Sequence, residues 1–403
     1  MITLKIMRPA FSAGLFLLIF AFGVSAQIQR SQAGPEFRVV ELASGFNRPW
    51  SLALVPPTAD GVAPAQAFVS ERPGRLWFLE GIPAPGAAGE PRRREVGGLP
   101  NLFTRGQGGL LDIVLHPDYG INRRIYFSAA IPGSFGSAGT AVYAARFDPE
   151  AMQLRDLELL FQMEQKNSST VHFGSRLAIG ADGALYISTG DRGSPDRAQD
   201  REDSAGAILR VPLRSDGTAG GPAEIYSYGH RNVQGMLYDA ASGALIAHEH
   251  GPRGGDEINL IIKDINYGWP LVSYGVNYNG SRVSDFQSLP GIAEPLLYWT
   301  PSIAPSGFAR YPETGVFAPR PGEGWSGDLF VGALAGTHLR RVSLPSAALG
   351  SLPAGPYNDS ARQESLLPGT IGRIRDVRID GAGYVYLIND AESAALYRLE
   401  PLR

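Results

Sequence analysis

The chain has 403 residues, 44% of them hydrophobic, and a formal charge of -3, too mild to select nucleic acid or an anionic membrane by charge. It contains no cysteine, which excludes disulfide staples and thiolate metal centres. Glycine (50) and proline (31) make about a fifth of the residues without a short period, which suits turn-rich β structure better than a disordered chain.

At the N-terminus, Lys5 and Arg8 precede an apolar run from about Ala10 to Val24, and Val24-Ser25-Ala26 offers a small-residue cleavage site. The run is short for a membrane span, and no charged stop-transfer segment follows it. Residues 1–26 therefore read as a secretory signal peptide, and the mature chain as a periplasmic or secreted protein without stable membrane insertion. Losing Lys5 and Arg8 takes the formal charge from -3 to -5. Residues 27–37 read as a polar extension and 38–403 as the folded domain. Beyond Lys5, only Lys166 and Lys263 are lysines, so arginine carries the positive charge.

From there one pattern recurs six times. The stretch Thr170–Gly193 shows it: a polar lead (His172, Gly174, Ser175, Arg176), a strand at Leu177–Ile179, an Asp182-Gly183 turn, and a second strand at Leu185–Ser188. Asp-Gly between two apolar runs signals a hairpin, with positive φ expected at both turn residues. The other first strands are Ser51–Val55, Leu110–Leu115, Met236–Tyr238, Gly307–Tyr311 and Asp376–Ile379. Their partners are Ala67–Ser70, Arg124–Ala129, Ala244–Ala247, Asp328–Gly332 and Tyr384–Ile388. The units recur about every 60 residues, with one longer gap of about 84 that places inserted loops in Gly268–Pro301. Two further short apolar stretches between units complete four strands per repeat. That is an all-β fold, a six-bladed β-propeller of four-stranded antiparallel blades, since one such sheet cannot bury both faces alone.

In a propeller, the loops leading into the innermost strands meet at one end of the axis. Those loops hold Asn47-Arg48-Pro49-Trp50, Gly106-Gln107-Gly108-Gly109, His172–Arg176, His230-Arg231-Asn232, Ala304-Pro305-Ser306 and Gly372–Asp376. Arg176, Arg231, Arg373 and Arg375 then share one mouth, and guanidiniums gathered without matching carboxylates await an anion. His172 and His230 are the candidate proton acceptors there, and nearby arginines favour their neutral form. Further on, His248–Asn259 reads HEHGPRGGDEIN. His248 and His250 would share a strand face, but no third nitrogen ligand is evident, which argues against zinc. Its glycine-rich turn with Asp256 and Glu257 suits calcium better, through hard oxygen donors.

The motifs GQGGLLDIVLHPDY, HFGSRLAIGADG, YSYGHRNVQG, HEHGPRGGDEIN, NYGWP and RIRDV occur in that order. With them the chain, from about Gly45 to Leu399, resembles the soluble aldose sugar dehydrogenases that depend on pyrroloquinoline quinone (PQQ). That resemblance implies an exported enzyme oxidising the anomeric carbon of aldoses to lactones, with hydride passing to PQQ and electrons to a respiratory acceptor. By the same resemblance, His172 is the general base, Arg231 steadies charge on the quinone oxygen, and Asp256 is the acid near the sugar and the base. Gln107, Arg231, Asn232, Tyr278, Arg373 and Arg375 would hold PQQ. Gly251 and Pro252 would offer carbonyls to one calcium, and Glu257 and Tyr267 would bind another. The chain departs from the family pattern at Ala335, where a lysine is usual, and at Ser204 and Ala207, where Asn and Lys are usual. Two other readings of the architecture are a calcium-dependent lactonase, which needs carboxylates converging on the axis, and a non-catalytic carbohydrate-binding or interaction propeller.

Overall fold

The computed structural model describes residues 28–32, 36–57 and 65–402. The signal-peptide reading of residues 1–26 lies outside the described residues. Among the described residues, six antiparallel sheets account for almost all regular structure, with one short α-helix, Tyr119–Asn122, and two 3-10 helices, Ser134–Gly136 and Pro195–Gln199. Blade 1 holds Pro49–Leu54, Gln66–Glu71, Arg75–Glu80 and Arg92–Glu95. Blade 2 holds Leu110–Leu115, Arg124–Pro132, Ala138–Asp148 and Gln153–Gln162. In blade 3 the strands are Leu177–Ile179, Leu185–Ser188, Ala207–Val211 and Glu224–Tyr228. Blade 4 comprises Val233–Asp239, Ala244–Glu249, Asp256–Ile261 and Leu297–Trp299. Blade 5 comprises Pro305–Arg310, Leu329–Ala333, His338–Ser343 and Arg362–Leu366.

Blade 6 closes the ring from both ends of the chain. Ile374–Ile379, Val385–Asn389 and Ala394–Pro401 come from the C-terminus, Glu36–Phe46 supplies the fourth strand, and Ile28–Arg30 adds a fifth. The first strand of each blade packs beside that of the next, and the sixth beside the first. The fold is the expected six-bladed β-propeller.

Burial between blades holds this ring. One apolar cluster sits at each seam: Phe68, Phe78, Phe127 and Phe147 join blades 1 and 2, and Phe37, Phe330, Leu339 and Leu387 join blades 5 and 6. Phe68 and Phe147 meet edge to face at 4.9 Å, an arrangement that aromatic quadrupoles favour. Along the axis the filling is polar. Asp112 accepts from Ser51 (2.6 Å), Arg176 (3.1 Å) and Arg378 (3.0 Å), and Asp376 ion-pairs with the same two arginines. Four blades are thus pinned through buried charges that neutralise one another, which buried charges must do.

The Asp182-Gly183 turn departs from expectation. Of the two residues only Gly183 has positive φ (71°), because the connection runs from Gly180 to Ala184 and the Gly180 amide donates to the Ala184 carbonyl at 3.0 Å. A longer loop needs one left-handed residue rather than two. Because all first strands run the same way, their leads and the turns after the second strands lie at one end of the axis. The long connection between the third and fourth strands of blade 4 also reaches that end, where Trp269 bonds to Asp191.

Candidate active site

His172 stands at the lead into blade 3 with φ 55°, a left-handed conformation uncommon for a side-chain-bearing residue. Its backbone amide donates to Gln107 Oε1 at 2.8 Å. Its carbonyl rests on Gly190, where a Cβ would come within 2.2 Å, so that position has no room for a side chain. Arg192, fully buried beneath, donates to the carbonyls of Val171 and Ser169 while its guanidinium lies 3.6 Å from the Phe173 ring centre. The loop is clamped from three sides.

The imidazole is held too. His172 Nδ1 lies 2.7 Å from Asp191 Oδ1, and Trp269 Nε1 donates to Asp191 Oδ2 at 2.9 Å. Burial works against the Asp191 carboxylate, but the bond and charge of His172, the Gly193 amide and Arg231 outweigh it, and its pKa falls below the usual range. An ionised carboxylate on Nδ1 selects the tautomer whose Nε2 lone pair is free. His172, Asp191 and Arg231 border a cleft of about 430 Å³ walled by Trp269, Pro252 and Tyr278.

A second cavity, of about 510 Å³, lies at the same end of the axis, lined by Gln107, Asn232, His250, Arg373 and Arg375. Sequence neighbours line one each: His172 and Arg231 the cleft, Phe173 and Asn232 this cavity. Arg48 and Arg72 add their charges to the cavity wall, which also carries Asp390 and Glu392. Arg375 and Arg373 ion-pair with Asp390 at 2.8 and 3.3 Å, and Arg48 with Glu392 at 2.5 Å. Desolvation opposes the Asp390 carboxylate, yet Arg375, Arg373 and Arg72 hold its pKa below the usual range.

Residues 46–398 match the pattern of the family described as glucose / sorbosone dehydrogenase. The chain belongs to that family. It is 33% identical over 371 residues to the aldose sugar dehydrogenase YliI of Escherichia coli K12, covering 89% of this chain and 92% of that one. The structure of the apo-form of the soluble aldose sugar dehydrogenase from Escherichia coli superposes with a TM-score of 0.76 at 33% identity, over 91% of this chain and 100% of that one. The PQQ-bound aldose sugar dehydrogenase of Streptomyces coelicolor gives 0.67 at 27% identity, over 91% and 99%.

Within this member of the glucose/sorbosone dehydrogenase family, the residues singled out from sequence divide by position. His172, Arg231, Pro252 and Tyr278 border the cleft, and Gln107, Asn232, Arg373 and Arg375 the axial cavity. Tyr278 is 74% exposed at the cleft rim. Asp256 is fully buried and accepts from Gly251 N (3.0 Å), Ser302 Oγ (2.7 Å), Ile303 N (2.8 Å) and Ala304 N (3.0 Å), tying the Gly251 turn to the lead of blade 5. Burial nevertheless pushes its carboxyl up to about 6. Gly251 O accepts from Arg231 at 3.0 Å. Glu257 and Glu249 face a void of about 20 Å³ beside Gly251 and Tyr267, room for one water-sized occupant. Burial and the neighbouring Glu249 push the Glu257 carboxyl well above its ordinary value. The Tyr267 hydroxyl is engaged elsewhere, with Leu260 O and Ile262 N.

Three sequence expectations are corrected. Arg176 is not at the mouth: only 2% exposed, it serves the axial ion network and lies 4.0 Å from the Trp50 ring centre. Nor do Arg373 and Arg375 lack a carboxylate, since Asp390 lies between them. His230 is buried, with its ring nitrogens on Ser227 (2.9 Å) and Glu249 (2.8 Å), and cannot meet a ligand at the mouth. Arg340 and Arg341 do not line the axial cavity in place of the usual lysine at Ala335, and Arg341 is tied to Asp328 and Glu364. Asp191, Arg72 and Asp390 escaped sequence reasoning, and Arg48 and Trp269 stood in a lead and a motif without a role. Arg48 was visible at a repeat lead, whereas Arg72 and Asp390 follow second strands and would emerge only by reading those turns across the repeats.

Proposed function

We propose that this protein is an exported quinoprotein dehydrogenase that oxidises the anomeric carbon of aldose sugars to lactones and passes electrons to a respiratory acceptor. The observation that carries the reading is the His172–Asp191–Trp269 chain on the wall of an open cleft, one residue along from Phe173 in an arginine-lined cavity. The donor set fits PQQ. Four guanidiniums face two carboxylates in the axial cavity, an excess of positive charge suited to a planar tricarboxylate. When bound, PQQ would supply the hydride acceptor.

The chain's own groups do the rest. His172 Nε2 takes the proton of the anomeric hydroxyl, with Asp191 holding the tautomer and stabilising the imidazolium that results. Arg231, fixed by the His250 and Gly251 carbonyls at 3.1 and 3.0 Å, presents positive charge where negative charge develops. Gln107, Asn232, Arg373 and Arg375 would hold the quinone, with Tyr278 contributing from the cleft rim. Asp256 acts through the backbone it ties together, at the turn that faces the sugar. Calcium would draw on the Gly251 and Pro252 carbonyls, and a second ion on Glu257 beside Tyr267; two carboxylates around a water-sized void suit a hard cation. Both axial carboxylates are already paired with arginines, which weighs against a calcium-dependent lactonase.

The test is reconstitution of purified apo-protein with PQQ and calcium, followed by absorbance and by dye reduction with a panel of aldoses. Sugar-dependent dye reduction that requires both additions is expected. Protein that takes up no PQQ at any practical concentration would favour a non-catalytic propeller.

A further inference from the structure

The axial cavity holds one guanidinium more than its partners account for. Arg373 and Arg375 divide Asp390 between them, and Arg48 takes Glu392. Arg72 remains. Among the described residues, no carboxylate ion-pairs with its guanidinium and no group hydrogen-bonds to it. Its environment is unfavourable to a cation: burial lowers its pKa most, and Arg48 and Arg373 add to that against the pull of Asp390.

Arg72 is also built into place. It directly follows the second strand of blade 1, and its amide donates to the Arg48 carbonyl at 3.0 Å, which joins two arginine-bearing segments. On the neighbouring blade, Gly109 lies so close that a Cβ would come within 1.8 Å of the Arg72 carbonyl oxygen and 2.8 Å of its Cγ. Gly109 has φ 143° and leaves the Arg72 stem its room. A half-buried cation, held by its stem toward a cavity and left unpaired among like charges, loses hydration without return unless an anion arrives. From the Leu334–Thr337 turn of blade 5 only Leu334 reaches the cavity wall, so no cation comes from that side.

We propose that Arg72 is an anion-anchoring residue of the axial cavity, its guanidinium taking a carboxylate of the bound quinone. This rests on the PQQ reading above and adds a contact made by the turn after a second strand rather than by the lead of a first. No bond is made or broken; the step is binding alone.

The experiment titrates wild type, Arg72→Gln and Arg72→Lys, all as full-length apo-protein at fixed calcium, with PQQ. Tryptophan fluorescence reports occupancy, since Trp50 lines the same cavity, and the titrations are repeated at several salt concentrations. Arg72→Gln should bind about ten- to a hundred-fold more weakly, with a shallower salt dependence. Arg72→Lys should keep the salt dependence and recover part of the affinity. Thermal unfolding of the apo-proteins provides a readout free of ligand: removing an unpaired cation should leave Tm unchanged or raise it. Arg72→Gln that binds as tightly as wild type with the same salt dependence would overturn the proposal, as would a lowered Tm, which would assign Arg72 to the scaffold. Wild type that binds no PQQ would instead sink the quinoprotein reading itself.

Discussion

His172 can act as a base because its surroundings fix everything about it except Nε2. The Gln107 contact and the Arg192-held carbonyls set its backbone, and Asp191 sets its ring. His172→Gln is therefore expected to lower turnover by about 10²–10⁴-fold while PQQ affinity changes little, as separate kinetic and binding titrations would show. His230→Gln should instead cost stability, because its ring is buried between Ser227 and Glu249; equal losses of turnover in the two variants would remove the assignment. Asp191→Asn keeps the shape but leaves Nδ1 without a carboxylate, and steady-state rates should fall about 10²-fold or more. At this scale the sequence was legible only in part. His172 stands in a recognisable motif at a repeated position, but its partner Asp191 lies across a hairpin in the Gly190–Gly193 turn and looks like an ordinary turn residue. Arg176 misled for the opposite reason: two residues past a mouth position, the chain has already dived to the axis, where Asp112 and Asp376 wait on other blades.

The hairpin is the element that made the fold readable. Short apolar runs separated by turn residues recur in register with the blades, so all six first and second strands emerge to within a few residues. What escaped was the fourth strand of the last blade. Glu36–Phe46 carries a strand pattern but sits outside the six aligned pairs, its partner almost a full chain length away. The connection between Ile261 and Leu297 was legible as an insertion, and the resemblance carried its Tyr278 to the quinone, but the part played by Trp269 was not legible. It climbs to the mouth and delivers Trp269, whose ring lies 5.2 Å from the Arg231 guanidinium and whose N–H bonds to Asp191. Trp269→Phe should keep the packing and lose the bond. Turnover is expected to drop several-fold with about 1 kcal/mol of stability, measured by steady-state rates and denaturant unfolding; unchanged rates would show that Asp191 needs no second tether.

For the molecule as a whole, stability rests on seams and on the axis together, and the axis makes it sensitive to acid. His248 is wholly buried near Arg176 and His250, and desolvation above all pushes its pKa down to about 3. The unfolded chain takes up that proton near pH 6.5, so it binds more protons than the native state in between. Stability must therefore fall as pH falls through this window, by up to ~1.4 kcal/mol per pH unit from this one group. Denaturant unfolding at pH 7, 6, 5 and 4 should show a shallower decline for His248→Gln than for wild type; parallel declines would mean that His248 does not set the slope. The strand shared in blade 6 has a different consequence, one of timing. Glu36–Phe46 is made before the strands of the other five blades, and its partner Ala394–Pro401 after them. Until Ala394–Pro401 is present, the chain carries five blades' worth of β structure with an unzipped seam and a bare strand edge, the condition under which β proteins aggregate. A chain ended after Ser393 should accordingly be made but not mature: protease-sensitive and prone to association, it should regain resistance when a peptide spanning residues 394–402 is added back. Closing the ring waits on a strand made after all five other blades.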